Sequence, residues 1–205
     1  MSAPIDQGSP VSGAFNIFDL NRVRLSQAQG LHELRDDLLR ASYQPGAVHL
    51  DSGVEQPYFF DKYLIVSRPS ILRRLSRYLA ERVPAETDRI AAPTLGALAI
   101  GTAVALETGL PLAIVRTEWD EKQKGRPVEG GLHQGETVVL IEDVVVTGSR
   151  ALGAVERLRN AGARVTAVLA AVDCERGADR RLADADLLYE PLFRYSAFSS
   201  TWETQ

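Results

Sequence analysis

Apolar residues recur along this chain in two rhythms, one helical and one of short continuous runs. Leu31, Leu34, Leu38 and Leu39 mark a first amphipathic helix, and Ile71, Leu72, Leu75, Leu79 and Val83 a later one, stopped by Pro84. Residues 58–65 are aromatic and β-branched enough to predict a strand. Residues 89–92 read as a short strand, followed by a helix through Thr108. Further strands are expected over 112–115, 137–141 and 165–172, with a helix over 151–160 that Asn160-Ala161-Gly162 stops. This alternation predicts an α/β fold, a mostly parallel central sheet flanked by helices on both faces.

Candidate chemistry is concentrated in the run from Val138 to Arg150, VVLIEDVVVTGSR. Its first four residues suit the interior of a parallel sheet, where strands read as continuous hydrophobic runs. Glu142 and Asp143 follow at the C-terminal end of that strand, where open α/β sheets bind their ligands. Thr147-Gly148-Ser149 then leads into a helix with Leu152, Val155 and Leu158 at helical spacing, which would gather backbone N–H groups and hydroxyls around an anion. A ribose 5-phosphate carries a dianion at one end and neighbouring hydroxyls in its middle, so a single ligand would span the turn and both carboxylates. The carboxylates would also stabilise positive charge developing at C1. The competing reading is a strand capped by solvated acids and an ordinary helix cap.

The run resembles the phosphoribosyl pyrophosphate (PRPP) motif of type I phosphoribosyltransferases. Other segments resemble the orotate phosphoribosyltransferase branch of that family. These are Ser52-Gly53 with Pro57-Tyr58-Phe59-Phe60-Asp61, the strand-to-helix pyrophosphate loop around Thr94, Leu95 and Gly96, a mobile loop from Arg116 to Glu129-Gly130, and Val172-Asp173 with Gly177. The resemblance implies a type I phosphoribosyltransferase fold with a small N-terminal hood over the site. It implies transfer of 5-phosphoribosyl from PRPP to a nucleobase, orotate first, giving orotidine 5′-monophosphate and pyrophosphate in pyrimidine nucleotide synthesis. Mg2+ would be held mainly by substrate oxygens, with no direct protein ligand, and a homodimer would share the mobile loop between subunits.

Residue roles carry over at matching positions. Glu142 and Asp143 would hold the ribose hydroxyls, and Val144, Val145, Val146, Thr147, Gly148, Ser149 and Arg150 would surround the 5′-phosphate. Arg116 and Thr117 would reach PRPP, with Lys122 and Lys124 as catalytic loop cations. Phe59 and Phe60 would flank the base, together with Val146 and Cys174, although both aromatics also read as core residues of a strand. The chain departs from the family pattern at several of these places. Thr117 and Asp120 stand where loop lysines are usual and Lys122 where a His is usual. Val54-Glu55-Gln56 stands in place of basic residues and Ser, and Cys174 in place of an Arg that meets the orotate carboxylate. A phosphoribosyltransferase for another base, a non-catalytic PRPP or nucleotide sensor, and a partner-binding domain on the same scaffold are the alternatives.

Composition narrows the remaining classes. At 205 residues the chain suits one domain over 14–205 after a flexible N-terminus, residues 1–13. A net charge of −4 argues against a nucleic-acid binder, which would carry a basic face. The single cysteine permits no internal disulfide, and neither a secretory signal nor a membrane-length apolar run is evident, so a cytoplasmic protein is expected. Gly96 to Thr102 has the glycine spacing of a phosphate loop but lacks its lysine, and no G-x-G-x-x-G follows a strand. His32, His49 and His133 are too scattered for a metal site. Lysine is scarce: Lys62, Lys122 and Lys124 stand against twenty arginines, and two of the three lie in the long polar segment after Arg116.

Overall fold

The computed structural model describes residues 17–49, 55–118 and 125–199, and gives only the backbone for 17–25, 43–49, 55–60 and 199. The chain divides into two compact units, Met1–Glu33 and Leu34–Gln205, and helix α1 (Ile17–Ser42) contributes residues to each. In the second unit Leu34 and Leu38 are fully buried, as their spacing predicts. Strands β1 (Tyr43–His49) and β2 (Glu55–Phe60) then form a small antiparallel sheet, with Gln44 opposite Phe59 and Tyr43 opposite Phe60.

The strand expected over 58–65 stops at Phe60. Asp61 ends it: its carboxylate accepts the N–H groups of Tyr63 and Leu64 at 3.0 and 3.3 Å and caps helix α2 (Lys62–Val66). Helix α3 (Pro69–Ala80) starts with Pro69 in its first turn and buries Ile71, Leu75 and Leu79. It ends before Val83, because the Arg82 and Val83 N–H groups turn back to the carbonyls of Leu79 and Ala80.

The main sheet comprises β3 (Arg89–Pro93), β4 (Leu112–Val115), β5 (Val128–Glu129), β6 (Thr137–Val145), β7 (Arg164–Asp173) and β8 (Leu188–Arg194). Their order is β5-β4-β3-β6-β7-β8, parallel throughout except for β5, which runs antiparallel to β4. Helices α4 (Gly96–Thr108), α5 (Ser149–Asn160), α6 (Ala178–Ala183) and α7 (Ser196–Ser199) complete the elements. Val138 and Leu140 share a buried cluster with Ala154, Val155 and Leu158 of α5 and Leu182 of α6. The strand pleat turns Val139 and Ile141 to the opposite face, where α4 packs on β3 and β6. Both faces are covered, which is why β6 reads as an unbroken apolar run.

Sheet order also makes a crevice. The chain leaves β3 for β4 on one side and later returns to place β6 on the other, so β3 and β6 flank a topological switch point. Their pairing ends at Ala91 opposite Leu140, whereas β3 pairs with β4 as far as Pro93 and β6 with β7 as far as Val145. The two strands therefore part where Glu142 and Asp143 begin.

Gly101 on α4 allows the helix to approach β3 closely. A Cβ at this position would lie 2.4 Å from the Cβ of Ala92. Gly101→Ala gains about 1 kcal/mol of helix propensity but overpacks an interface that cannot yield by side-chain rotation, at about 1–3 kcal/mol. The expected net result is a lower urea midpoint at unchanged m-value.

Candidate active site

The acid pair sits in the last turns of β6. Glu142 and Asp143 are each 6% exposed, and β6 continues past them to Val145 because Val144 and Val145 still pair with Val172 and Asp173. Asp143 Oδ1 accepts the N–H of Val144 at 2.7 Å. Its Oδ2 accepts no hydrogen bond and has the ammonium of Lys62 3.4 Å away. Glu142 Oε1 is also buried without a hydrogen-bond partner. Two buried carboxylate oxygens thus lack donors at the strand end, a costly state unless a ligand supplies them.

Burial, with the neighbouring Asp143 charge second, pushes the Glu142 carboxyl up to about 8, against the opposing effects of Lys62, the Asp143 N–H and Arg150. Because the folded value lies above the ordinary value of 4.5, the native state holds a proton that the unfolded chain has already lost between those limits. Stability of the ligand-free protein is therefore expected to fall as pH rises from about 4.5 to about 8 and to level off above, by at most about 5 kcal/mol. Glu142→Gln, which imitates the protonated acid, should flatten that slope and melt above the parent at pH 8. Parallel pH–melting curves for the two proteins would show that the acid is not held in this state.

Next to the acids lies the turn that joins β6 to α5. Gly148 adopts φ +78° and caps α5, and Thr147 Oγ1 lies 3.0 Å from Ser149 Oγ. Val144, Val146 and Thr147 are half-buried, Val145 and Gly148 buried, and Ser149 and Arg150 exposed. Arg181 on α6, which the sequence did not single out, donates to Ser149 Oγ and brings a guanidinium to these hydroxyls.

Across the crevice, Thr94, Leu95 and Gly96 join β3 to α4, and the Thr94–Leu95 peptide is cis. Thr94 and Thr117 are tied together: the Thr117 N–H reaches Thr94 Oγ1 at 3.2 Å, and Thr117 Oγ1 donates to the Thr94 carbonyl at 2.9 Å. Arg116 follows β4, donates its N–H to the Pro127 carbonyl at 3.0 Å, and extends its guanidinium toward Gly125 and Glu129. The β3–α4 connection and the foot of the long polar loop are thereby joined. Lys122 and Lys124 lie outside the described residues, as do Asp120 and Ser52-Gly53, and the description of Phe59 and Phe60 stops at their backbone in β2.

The late strand end is also polar and enclosed. Asp173, 1% exposed, accepts the Glu175 N–H at 2.9 Å and pairs with Arg194 at 3.2 Å, and burial raises its carboxyl above the ordinary value. It caps no helix, since Gly177 is the residue before α6. Cys174 donates its N–H to the Val145 carbonyl at 2.8 Å and, at 3% exposure, offers a ligand little surface. The sequence also left Lys62 unassigned. Its one available signal was the scarcity of lysine.

Comparison with known proteins agrees with this geometry. The family model described as phosphoribosyl transferase domain matches residues 65–189. The orotate phosphoribosyltransferase of Thermococcus gammatolerans is 36% identical over 180 residues, covering 84% of this chain and 95% of the relative. That of Natronomonas pharaonis is 40% identical over 147 residues, covering 72% and 84%. Among solved structures, Mycobacterium tuberculosis orotate phosphoribosyltransferase in complex with PRPP superposes with a TM-score of 0.68 at 25% identity, covering 82% of this chain and 97% of that one.

Proposed function

Because the chain belongs to the orotate phosphoribosyltransferase family, we propose that it transfers 5-phosphoribosyl from PRPP to orotate, giving orotidine 5′-monophosphate and pyrophosphate in pyrimidine nucleotide synthesis. The observation that carries this reading is the pair of buried, donor-less oxygens of Glu142 and Asp143 beside the Thr147-Gly148-Ser149 turn. Ribose hydroxyls would supply the missing donors, and the 5′-phosphate would take the hydroxyls and N–H groups of the turn.

The reaction breaks the C1–O bond to pyrophosphate and forms a C1–N bond to the base. Bond breaking runs ahead, so the sugar becomes cationic while the leaving group gathers negative charge. Asp143, fixed below the sugar, stabilises the cation by its charge, and the polar Glu142 carboxyl beside it adds a preorganised oxygen dipole. The Thr94–Gly96 loop and Arg116 receive the leaving group. Among the described residues no group of three or more carboxylate, His or Cys side chains could hold a metal. Mg2+, which prefers oxygen donors and keeps waters, would be held mainly by substrate oxygens and would supply charge neutralisation on the leaving group. Lys122 and Lys124 would close over the leaving group and exclude water.

Closure of that loop over a neighbouring subunit makes the working form a homodimer, and the lone cysteine suits the cytoplasm. Among the described residues no helix is long and apolar enough to cross a membrane. Incubating protein, Mg2+, PRPP and orotate while following loss of orotate absorbance tests the activity. Absence of turnover would overturn it, and turnover with a different base alone would replace orotate as the acceptor. Mixing subunits that lack the loop lysines with subunits that lack Asp143 tests loop sharing, since recovered activity requires one intact site made from both.

A further inference from the structure

Resting on the transferase reading, we propose that Lys62 is a positioning residue of the phosphosugar site: its ammonium anchors Asp143 against the pyrophosphate loop and supplies the counter-charge that lets two adjacent acids share one strand end. Three elements meet at this side chain. Lys62 leaves the first turn of α2, whose start is fixed by the Asp61 cap and by the Asp61 N–H on the Ser42 carbonyl at 2.9 Å. Its Nζ lies 3.4 Å from Asp143 Oδ2, which accepts no hydrogen bond. Its aliphatic stem lies over the start of α4, where a Cβ on Gly96 would come within 2.8 and 3.0 Å of Lys62 Cδ and Cε.

The charge balance requires such a partner. Glu142 and Asp143 are buried side by side, and taking Lys62 away would leave Asp143 with an uncompensated charge in a place water barely reaches. The groups acting on Glu142 are Asp143 on its own strand, Lys62 from α2 and Arg150 from α5, and Lys62 and Arg150 favour its ionised form. A side chain 28% exposed keeps one edge open to solvent, so the ammonium can adjust when hydroxyls arrive at the acids. The Tyr63 ring, with its centroid 5.7 Å from Nζ, restrains the same cation.

The test compares wild type with Lys62→Met and Lys62→Gln, which keep an unbranched stem without its charge, and Lys62→Arg, which keeps the charge. PRPP binding with Mg2+ is measured by calorimetry from about pH 6 to 9, beside turnover with orotate. Loss of the ammonium should weaken PRPP binding about tenfold, the value of one charge-assisted contact. The acid limb of the pH profile should move to higher pH, and Lys62→Arg should restore most of both. The proposal is overturned if the uncharged variants bind as wild type with an unmoved limb. It is equally overturned if Lys62→Arg fails as they do with the limb unmoved, since the stem's packing alone would then matter. Wild type that binds PRPP without turnover would sink the transferase reading and leave the Lys62 comparison decisive; wild type that does not bind PRPP would sink both.

Discussion

Asp143→Asn is expected to lower turnover about 100- to 1,000-fold, the loss that follows removal of one preorganised electrostatic group from a transition state. The replacement matches the carboxylate in shape, so the effect is one of charge. Asp143 Oδ1 receives the Val144 N–H at 2.7 Å, which orients an Asn with its oxygen there and its NH2 toward the Lys62 ammonium 3.4 Å from the other oxygen. A donor then faces a cation, and the sugar loses a negative charge below C1. Lys62, partly open to water, can turn away, so the fold should survive with a melting point close to that of the parent. The measurement is kcat with saturating PRPP and orotate, beside thermal melting. Undiminished turnover in a folded variant would remove the acid pair from the chemistry.

Gly96→Ala is expected to weaken PRPP binding about tenfold and lower turnover about a hundredfold, the scale of effect that follows from displacing a positioning group by an ångström. An added Cβ would stand 1.9 Å from Asp143 Oδ2 and 2.8 Å from Lys62 Cδ. That distance cannot persist, and all three parties are constrained: Gly96 by β3 and α4, Asp143 by its burial and Lys62 by its ion pair. Either the β3–α4 connection or the acid must move. Gly101→Ala, on the same helix, is the control, since its expected effect falls on the denaturation midpoint and leaves the PRPP affinity of the folded protein unchanged. Wild-type kinetics in Gly96→Ala would mean that the loop is not part of the site.

Much of this architecture was legible in the sequence where one physical signal dominated. The apolar run before Glu142 had to be a buried strand, and β4 falls on the residues its pattern predicts. The family resemblance directed attention to the Thr94, Arg116 and Thr147 segments that the structure brings around one crevice. Legibility failed where two signals competed. Residues 58–65 carry strand-forming side chains, yet the capping carboxylate of Asp61 outweighs them and starts a helix. Strand β8 holds Glu190 and Pro191 and lies at the sheet edge, so it lacks the continuous apolar pattern of a central strand. The Lys62–Asp143 pair spans more than eighty residues of chain, and no local pattern announces a contact of that range.

The parting of β3 from β6 has a consequence for ligand choice. The opening comes from the path of the backbone between neighbouring strands, so it endures whichever side chains border it. Side chains along the rim can therefore be exchanged, and with them the ligands admitted, while the backbone opening stays as it is.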